Sequence, residues 1–339
     1  MRSEVGLISR ARTLVGHLAS RAALESLAEA ADLPAFARAV VRLGTDLEPV
    51  GETWDLPAFE RAVRQTGARH LATLRRWQGD AAGLIEVISA DLDRKSIRRM
   101  IRGAMQGAPA AARLEGISAT PQLPERVLTE LARQSSPSAV VGLLAIVGHP
   151  DAGALAPLVA RAQPELFAID RVLLAGWASR AAQVARRDPT IRDLVCLRIE
   201  VANAQTALLL ARGPRDADPA MAFVEGGQWL TKALFTAAAS ASTPADGLTA
   251  LQLGLAHTPL ASLLPAIATD VDAMERAYLS HALDRLARHA RLQPIDTPTL
   301  LRTLLRIEAQ GRDLRALAWG AALGTPPASR KALLVTPWA

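Results

Sequence analysis

Apolar residues recur along this chain at steps of three and four with polar residues between them, the signature of amphipathic helices. Leu7, Ala11, Leu14 and Leu18 predict a first helix over about 3–18, and Leu24, Leu27 and Ala28 predict a second after Ser20. Asp32-Leu33-Pro34 starts a third, with Phe36, Val40 and Leu43 as its apolar positions and Gly44 as its stop. Asp55-Leu56-Pro57 opens another in the same way, and a long helix then carries Ile85, Ile88 and Leu92. Residues 107–124 are interrupted by Gly107, Pro109, Gly116, Pro121 and Pro124, which predicts a connection rather than an element. Arg192–Gly213 predicts one helix. Leu194, Leu197, Val201, Leu208 and Ala211 share a stripe, Asp193 stands near its start, and Gly213-Pro214 stands at its stop.

The same pattern returns at long range. Leu128, Leu131 and Ala132, followed by Ser136-Pro137 and a run to Gly148, mirror Leu24, Leu27 and Ala28 followed by Asp32 to Gly44, at an offset of 104. Thr243-Pro244, His257, Pro259, Leu263 and Pro265 then answer Ser136-Pro137, His149, Pro150, Leu155 and Pro157 at offsets of 107 to 109. A short motif, a small polar residue followed by Ile or Leu and Arg, also occurs three times: Ser96-Ile97-Arg98, Cys196-Leu197-Arg198 and Asp313-Leu314-Arg315. Each copy has an apolar residue three positions on (Ile101, Val201, Ala318), and a glycine is expected to close each helix (Gly103, Gly213, Gly320 or Gly324). These repeats predict three helical lobes, 1–120, 121–225 and 226–339. Units of this length suit lobes about a pseudo-threefold axis, since solenoid repeats run to about 20–50 residues.

Composition agrees with an all-α fold. Half of the 339 residues are hydrophobic, enough for a large core, while aromatics are 4% and tyrosine occurs once, at Tyr278. The formal charge is +6, and the cations are almost all arginine, with lysine only at Lys95, Lys232 and Lys331. That excess fits solvated helix faces or an anionic partner, and composition does not separate the two. The lone Cys196 excludes an internal disulfide and a multi-cysteine zinc site. The charged N-terminus lacks the apolar run of a signal peptide. Gly247–Thr269 carries no formal charge, but Pro259 and Pro265 within it predict two short buried helices rather than a membrane span.

A search for chemistry predicts no catalytic, cofactor-binding or metal-ligating residue and no cofactor. Gly226-Gly227 lacks the Lys and Ser or Thr of a phosphate loop. His281 and His289 stand eight apart with no acid to complete a metal set, and Ser118 lacks the second glycine of a nucleophile elbow. Cys196 is expected to be a buried, inert thiol beside the Leu194 and Leu197 stripe. Arg94, Arg98 and Arg102 line one helix face, with Lys95 and Arg99 beside them, a pattern that would suit phosphates. Glu86, Asp91 and Asp93 precede them as partners, however, and no aromatic residue interleaves to stack bases, so no nucleic-acid partner is expected. The motif arginines are expected to knit each lobe together or to meet a protein partner.

Three copies of a polar-[Ile/Leu]-Arg helix in this order resemble the V-type ATPase central-stalk adaptor family, which supplies the C subunit of prokaryotic complexes and the d subunit of eukaryotic ones. Ser96, Cys196 and Asp313 stand where the family's copies carry Asn. The second copy is followed by Phe223-Val-Glu-Gly226-Gly227, similar to a Phe-Leu-x-Gly-Gly element of the family. The third is followed by Gly324-Thr-Pro-Pro, and Ala30-Ala31-Asp32-Leu33 with Leu43-Gly44 is similar to its beginning. The resemblance implies a funnel of three lobes seated on the cytoplasmic side of the proteolipid ring, peripheral to the membrane, whose opening receives the rotor shaft. It implies a non-catalytic subunit of a rotary ATPase or ATP synthase, with shaft and ring subunits as partners and no small-molecule substrate. A helical scaffold binding other proteins is the alternative, favoured if the three units stack linearly.

Overall fold

The computed structural model describes residues 2–47, 54–79, 82–213 and 218–337, and among these every regular element is helical. The chain divides into two compact units, one formed by Met1–Asp170 with Leu283–Ala339 and the other by Arg171–Ala282.

In the first unit, α1 (Arg2–His17) is followed by α2 (Arg21–Leu27), α3 (Leu33–Arg42), α4 (Leu56–Arg76) and α5 (Ala82–Met105). The starts follow from side-chain caps. Ser20, Asp32 and Asp55 each accept the N–H three residues on, at 3.2, 2.7 and 2.7 Å, and Pro34 and Pro57 fit the first turn because it requires no amide donor. A short α6 (Ala110–Leu114) forms where the sequence predicts only a connection; three alanines favour the helix, and Pro109 is spared an N–H it could not supply. Then come α7 (Glu125–Arg133), α8 (Pro137–Ile146) and α9 (Ala152–Val159), with Ser136 capping α8 as Asp32 caps α3.

The chain passes into the second unit within α10 (Leu166–Ala185) and continues as α11 (Pro189–Leu210). Asp188, not Asp193, caps α11, accepting from Thr190 and Ile191 at 2.7 and 3.2 Å, so the helix starts a turn earlier than predicted. Pro214, its expected breaker, lies outside the described residues. After a 3-10 turn at Pro219–Ala222 come α12 (Lys232–Ala239) and α13 (Pro244–Gly254), capped by Thr231 and Thr243. A second 3-10 turn, Pro259–Leu263, leads into α14 (Leu264–Thr269). The uncharged stretch 247–269 is therefore three short elements, and no helix among the described residues is long and apolar enough to cross a membrane.

The chain returns to the first unit within α15 (Val271–Leu292) and ends in α16 (Thr297–Ala322) and α17 (Pro327–Ala332). α16 packs on α4, α1 and α3, so the last motif helix completes the core begun by the first helices. Phe36 and Phe59 meet edge to face at 5.3 Å, enclosed with Leu24, Leu27, Leu314 and Leu317. Each such side chain contributes roughly 1.5–3 kcal/mol by leaving water. α11 is the corresponding centre of the second unit, packed by α12, α13 and α14.

Candidate functional site

The three motif arginines stand on α5, α11 and α16, and each meets a carboxylate. Arg98 Nε lies 2.8 Å from Asp170 Oδ2 on α10, Arg198 Nη2 lies 2.6 Å from Glu275 Oε1 on α15, and Arg315 Nε lies 2.9 Å from Glu60 Oε2 on α4. Glu60, Asp170 and Glu275 are each the fifth residue of their helix, counting from Leu56, Leu166 and Val271. Each follows a buried apolar residue, Phe59, Ile169 or Met274. An acid in the opening turns is favoured by the helix dipole. In chain order the motif arginine of one repeat pairs with the long helix that follows it, and the last arginine pairs with the first long helix.

The three pairs differ in depth. At Arg98 and Asp170 the side chains are 36% and 28% exposed, and burial nevertheless pushes the Asp170 carboxyl up to about 6, against the pull of Arg98, Arg94 and Arg102. At Arg198 and Glu275 exposure falls to 4% and 16%, and the guanidinium also lies 4.8 Å from the Tyr278 ring centroid, a cation–π stack. Arg315 is buried more deeply than Arg98 and also donates to the Ile117 carbonyl at 2.7 Å. Glu60 accepts besides from Trp319 Nε1 and the Gly116 amide, both at 3.3 Å.

The remaining basic cluster of α5 is largely satisfied within the chain. Arg94 pairs with Asp91 at 2.6 Å, Lys95 with Glu308 at 2.9 Å, and Arg99 lies 3.8 Å from Glu115. Asp93 accepts the Thr120 hydroxyl at 2.5 Å. Such pairing removes the free cation row that a phosphate backbone would need.

Carboxylates of the second and third motif helices also bind backbone. Asp313, fully buried, accepts the amides of Val335 and Thr336 at 2.7 and 2.9 Å. Glu200, also fully buried, accepts those of Gln228, Trp229 and Leu230, while burial pushes its carboxyl above the ordinary value and the amides pull it back. Asn203 exchanges two hydrogen bonds with the Val224 backbone, at 2.8 and 3.1 Å. This stitching explains the Phe223–Gly227 element: a side chain at Gly227 would place its Cβ 2.7 Å from Glu200 Cγ.

Gly103, expected to close its helix, lies inside it, and of the alternatives Gly320 and Gly324 it is Gly324 that closes the third. Gly103 in α5 and Gly320 in α16 leave room for the stems of Arg113 and Arg330, whose Cγ atoms would come within 2.6 and 2.8 Å of an added Cβ. Arg113 donates to the carbonyls of Ala108 and Gln134, and Arg330 to those of Thr325, Ala28 and Ala30. The helices end at Gly107 and Gly324, whose φ values of +64° and +66° are the left-handed caps glycine adopts without strain.

Cys196 is half-buried, not enclosed, and burial raises its thiol above the ordinary value. It lines an open groove of about 750 Å³ in the second unit, between α10, α11 and residues 223–226. No cluster of three metal-binding side chains occurs among the described residues. His281, His289 and Ser118 are half-buried and belong to no such cluster.

Comparison with known proteins adds the family. The profile described as ATP synthase (C/AC39) subunit matches residues 7–332. The C subunit of the V-type ATP synthase from each of two Thermus thermophilus strains is 26% identical over 262 residues, which cover 76% of this chain and 76% of the relative. With a match running from α1 to α17, this chain belongs to the ATP synthase (C/AC39) subunit family.

Proposed function

We propose that this chain is the non-catalytic subunit of a V-type rotary ATPase or ATP synthase that couples the central rotor shaft to the membrane proteolipid ring. Its lobes, 1–120, 121–225 and 226–339, are arranged about a pseudo-threefold axis, and it sits peripherally on the cytoplasmic face of the membrane. It requires no cofactor, small-molecule substrate or nucleic acid. The observation that carries this reading is the order of the three ion pairs. Arg98 to Asp170, Arg198 to Glu275 and Arg315 back to Glu60 form a cycle in chain order, as expected of three lobes that close on themselves and not of a linear scaffold. A torque-bearing adaptor must hold its lobes in fixed register, and buried charge pairs can fix register even where they add little net stability. The names of the Thermus relatives supply the complex.

The test is a pull-down from detergent-solubilised membranes of the source cells with this chain tagged. Shaft and proteolipid-ring subunits should be recovered together. Recovery of neither by a folded tagged chain, under conditions that keep the complex intact, overturns the proposal in favour of a scaffold.

A further inference from the structure

We infer that the groove of the second unit is the seat of an amphipathic helix from another polypeptide, laid along α10 with acidic side chains toward Arg186 and Arg192. The inference rests on the proposed place in a rotary complex for the partner's origin, another polypeptide of that complex.

The first argument is a missing cover. At the same motif position on the three helices, Ser96 and Asp313 are buried, and the segment 335–336 lies over Asp313 and gives it two amides. Cys196 at that position opens onto the groove instead. The second motif helix therefore has an uncovered face where the others are covered by their own chain.

The second is shape. From Arg171 to Arg186 the α10 wall runs about 22 Å at 1.5 Å per residue, four turns of helix. That wall carries Ala175, Ser179 and Ala182, all exposed, and faces Val195, Ile199 and Phe223. Small side chains let a second helix approach at the short end of the roughly 8–10 Å packing range. The groove is open to solvent rather than enclosed, whereas small ligands bind where about 70–90% of their surface is enclosed. A helix needs one face covered, so a polypeptide fits and an acyl chain does not.

The third is charge. Arg186 and Arg192 are exposed at the end where α10 turns into α11, and neither has an ion-pair partner among the described residues. Among the described residues of the lining, Glu225 is the one acid. At the other end Arg171 is engaged with the Met221 carbonyl at 3.1 Å. Acidic residues, or the carbonyl end of a helix, are the complement of this exposed pair.

Cys196 is the one cysteine of the chain, so it reports on the groove without engineering. A maleimide at mildly alkaline pH should label the free chain, and labelling should slow about tenfold or more in the complex isolated from membranes. A photo-cross-linking residue at Ser179 should join the chain to an acidic helical segment of a protein that purifies with it. Arg186→Glu with Arg192→Glu should keep the melting temperature and lower recovery of that protein. Equal labelling in free chain and complex, or a cross-link to lipid or to this chain itself, overturns the inference while leaving the proposed function intact. If no other protein of the complex is recovered, the proposed function falls first and takes this inference with it.

Discussion

In the first unit the motif helices α5 and α16 are finished by cations: Arg113 lies across Gly103, Arg330 lies across Gly320, and both reach carbonyls beyond the helix end. In the second unit the flank of α11 is sealed by acceptors and an amide, with Glu200 and Asn203 in mid-helix holding residues 224–230 by their backbone. Both arrangements satisfy polar groups that a buried helix flank would otherwise leave unpaired. A repeat can therefore keep its helices and its arginine while exchanging the chemistry that seals them. The exchange has a structural result, because the seal of α11 covers only one flank and leaves the Cys196 side open.

The contrast in burial gives the largest expected effect. Arg198→Ala breaks a buried ion pair with Glu275 and removes the stack on Tyr278, and should cost about 3 kcal/mol or more in a denaturant melt. Arg98→Ala removes a half-exposed pair and should cost below about 1 kcal/mol. Equal losses would erase the distinction between the buried and the half-exposed pair.

Next come the glycines. Gly320→Ala and Gly227→Ala put a methyl group 2.8 Å from Arg330 Cγ and 2.7 Å from Glu200 Cγ. Each should destabilise by about 1–3 kcal/mol through overpacking. Gly213→Ala, whose Cβ meets nothing nearer than the Leu210 carbonyl at 3.7 Å, should stay within about 0.5 kcal/mol of the parent. A silent Gly320→Ala would show that Arg330 is free to move aside.

The smallest effect is pH-dependent. The Asp170 carboxyl titrates at about 6 in the folded chain, against an ordinary value of 3.8. The folded state thus binds the proton more tightly than the unfolded chain does. This group's contribution is present at low pH and is lost as pH rises through about 6. On lowering the pH from about 7 to about 5, the parent should gain melting temperature relative to Asp170→Asn, which cannot titrate. A parallel pair of profiles would place the Asp170 carboxyl at its ordinary value.

Much of the fold is legible in local pattern. Asp32-Leu33-Pro34, Ser136-Pro137 and Thr243-Pro244 start helices at the positions their pattern predicts, because a cap and a proline act within one turn. Long-range partners are not legible. Arg315 and Glu60 are 255 positions apart, and nothing local to either names the other. A signal does exist: Leu-Pro-Ala-Phe-Glu60, Leu-Phe-Ala-Ile-Asp170 and Val-Asp-Ala-Met-Glu275 form one degenerate repeat, spaced by 110 and 105 residues. Gly103 and Gly320 pass for stops in the sequence because glycine serves two needs, a left-handed cap and a close approach, and only the neighbouring arginine tells them apart.

The pairing of α16 with α4 also sets a timetable for synthesis. Glu60, Phe36 and Phe59 leave the ribosome early, yet Arg315, Leu314 and Leu317, which enclose them, follow some 255 residues later. At about 5–20 residues per second the nascent first helices wait roughly 13–50 s for their lid. During that interval they expose an unpaired carboxylate and an aromatic pair to chaperones and proteases. A chain cut short before α16 therefore leaves the core of the first unit open, although the second unit, Arg171–Ala282, lies wholly within that chain.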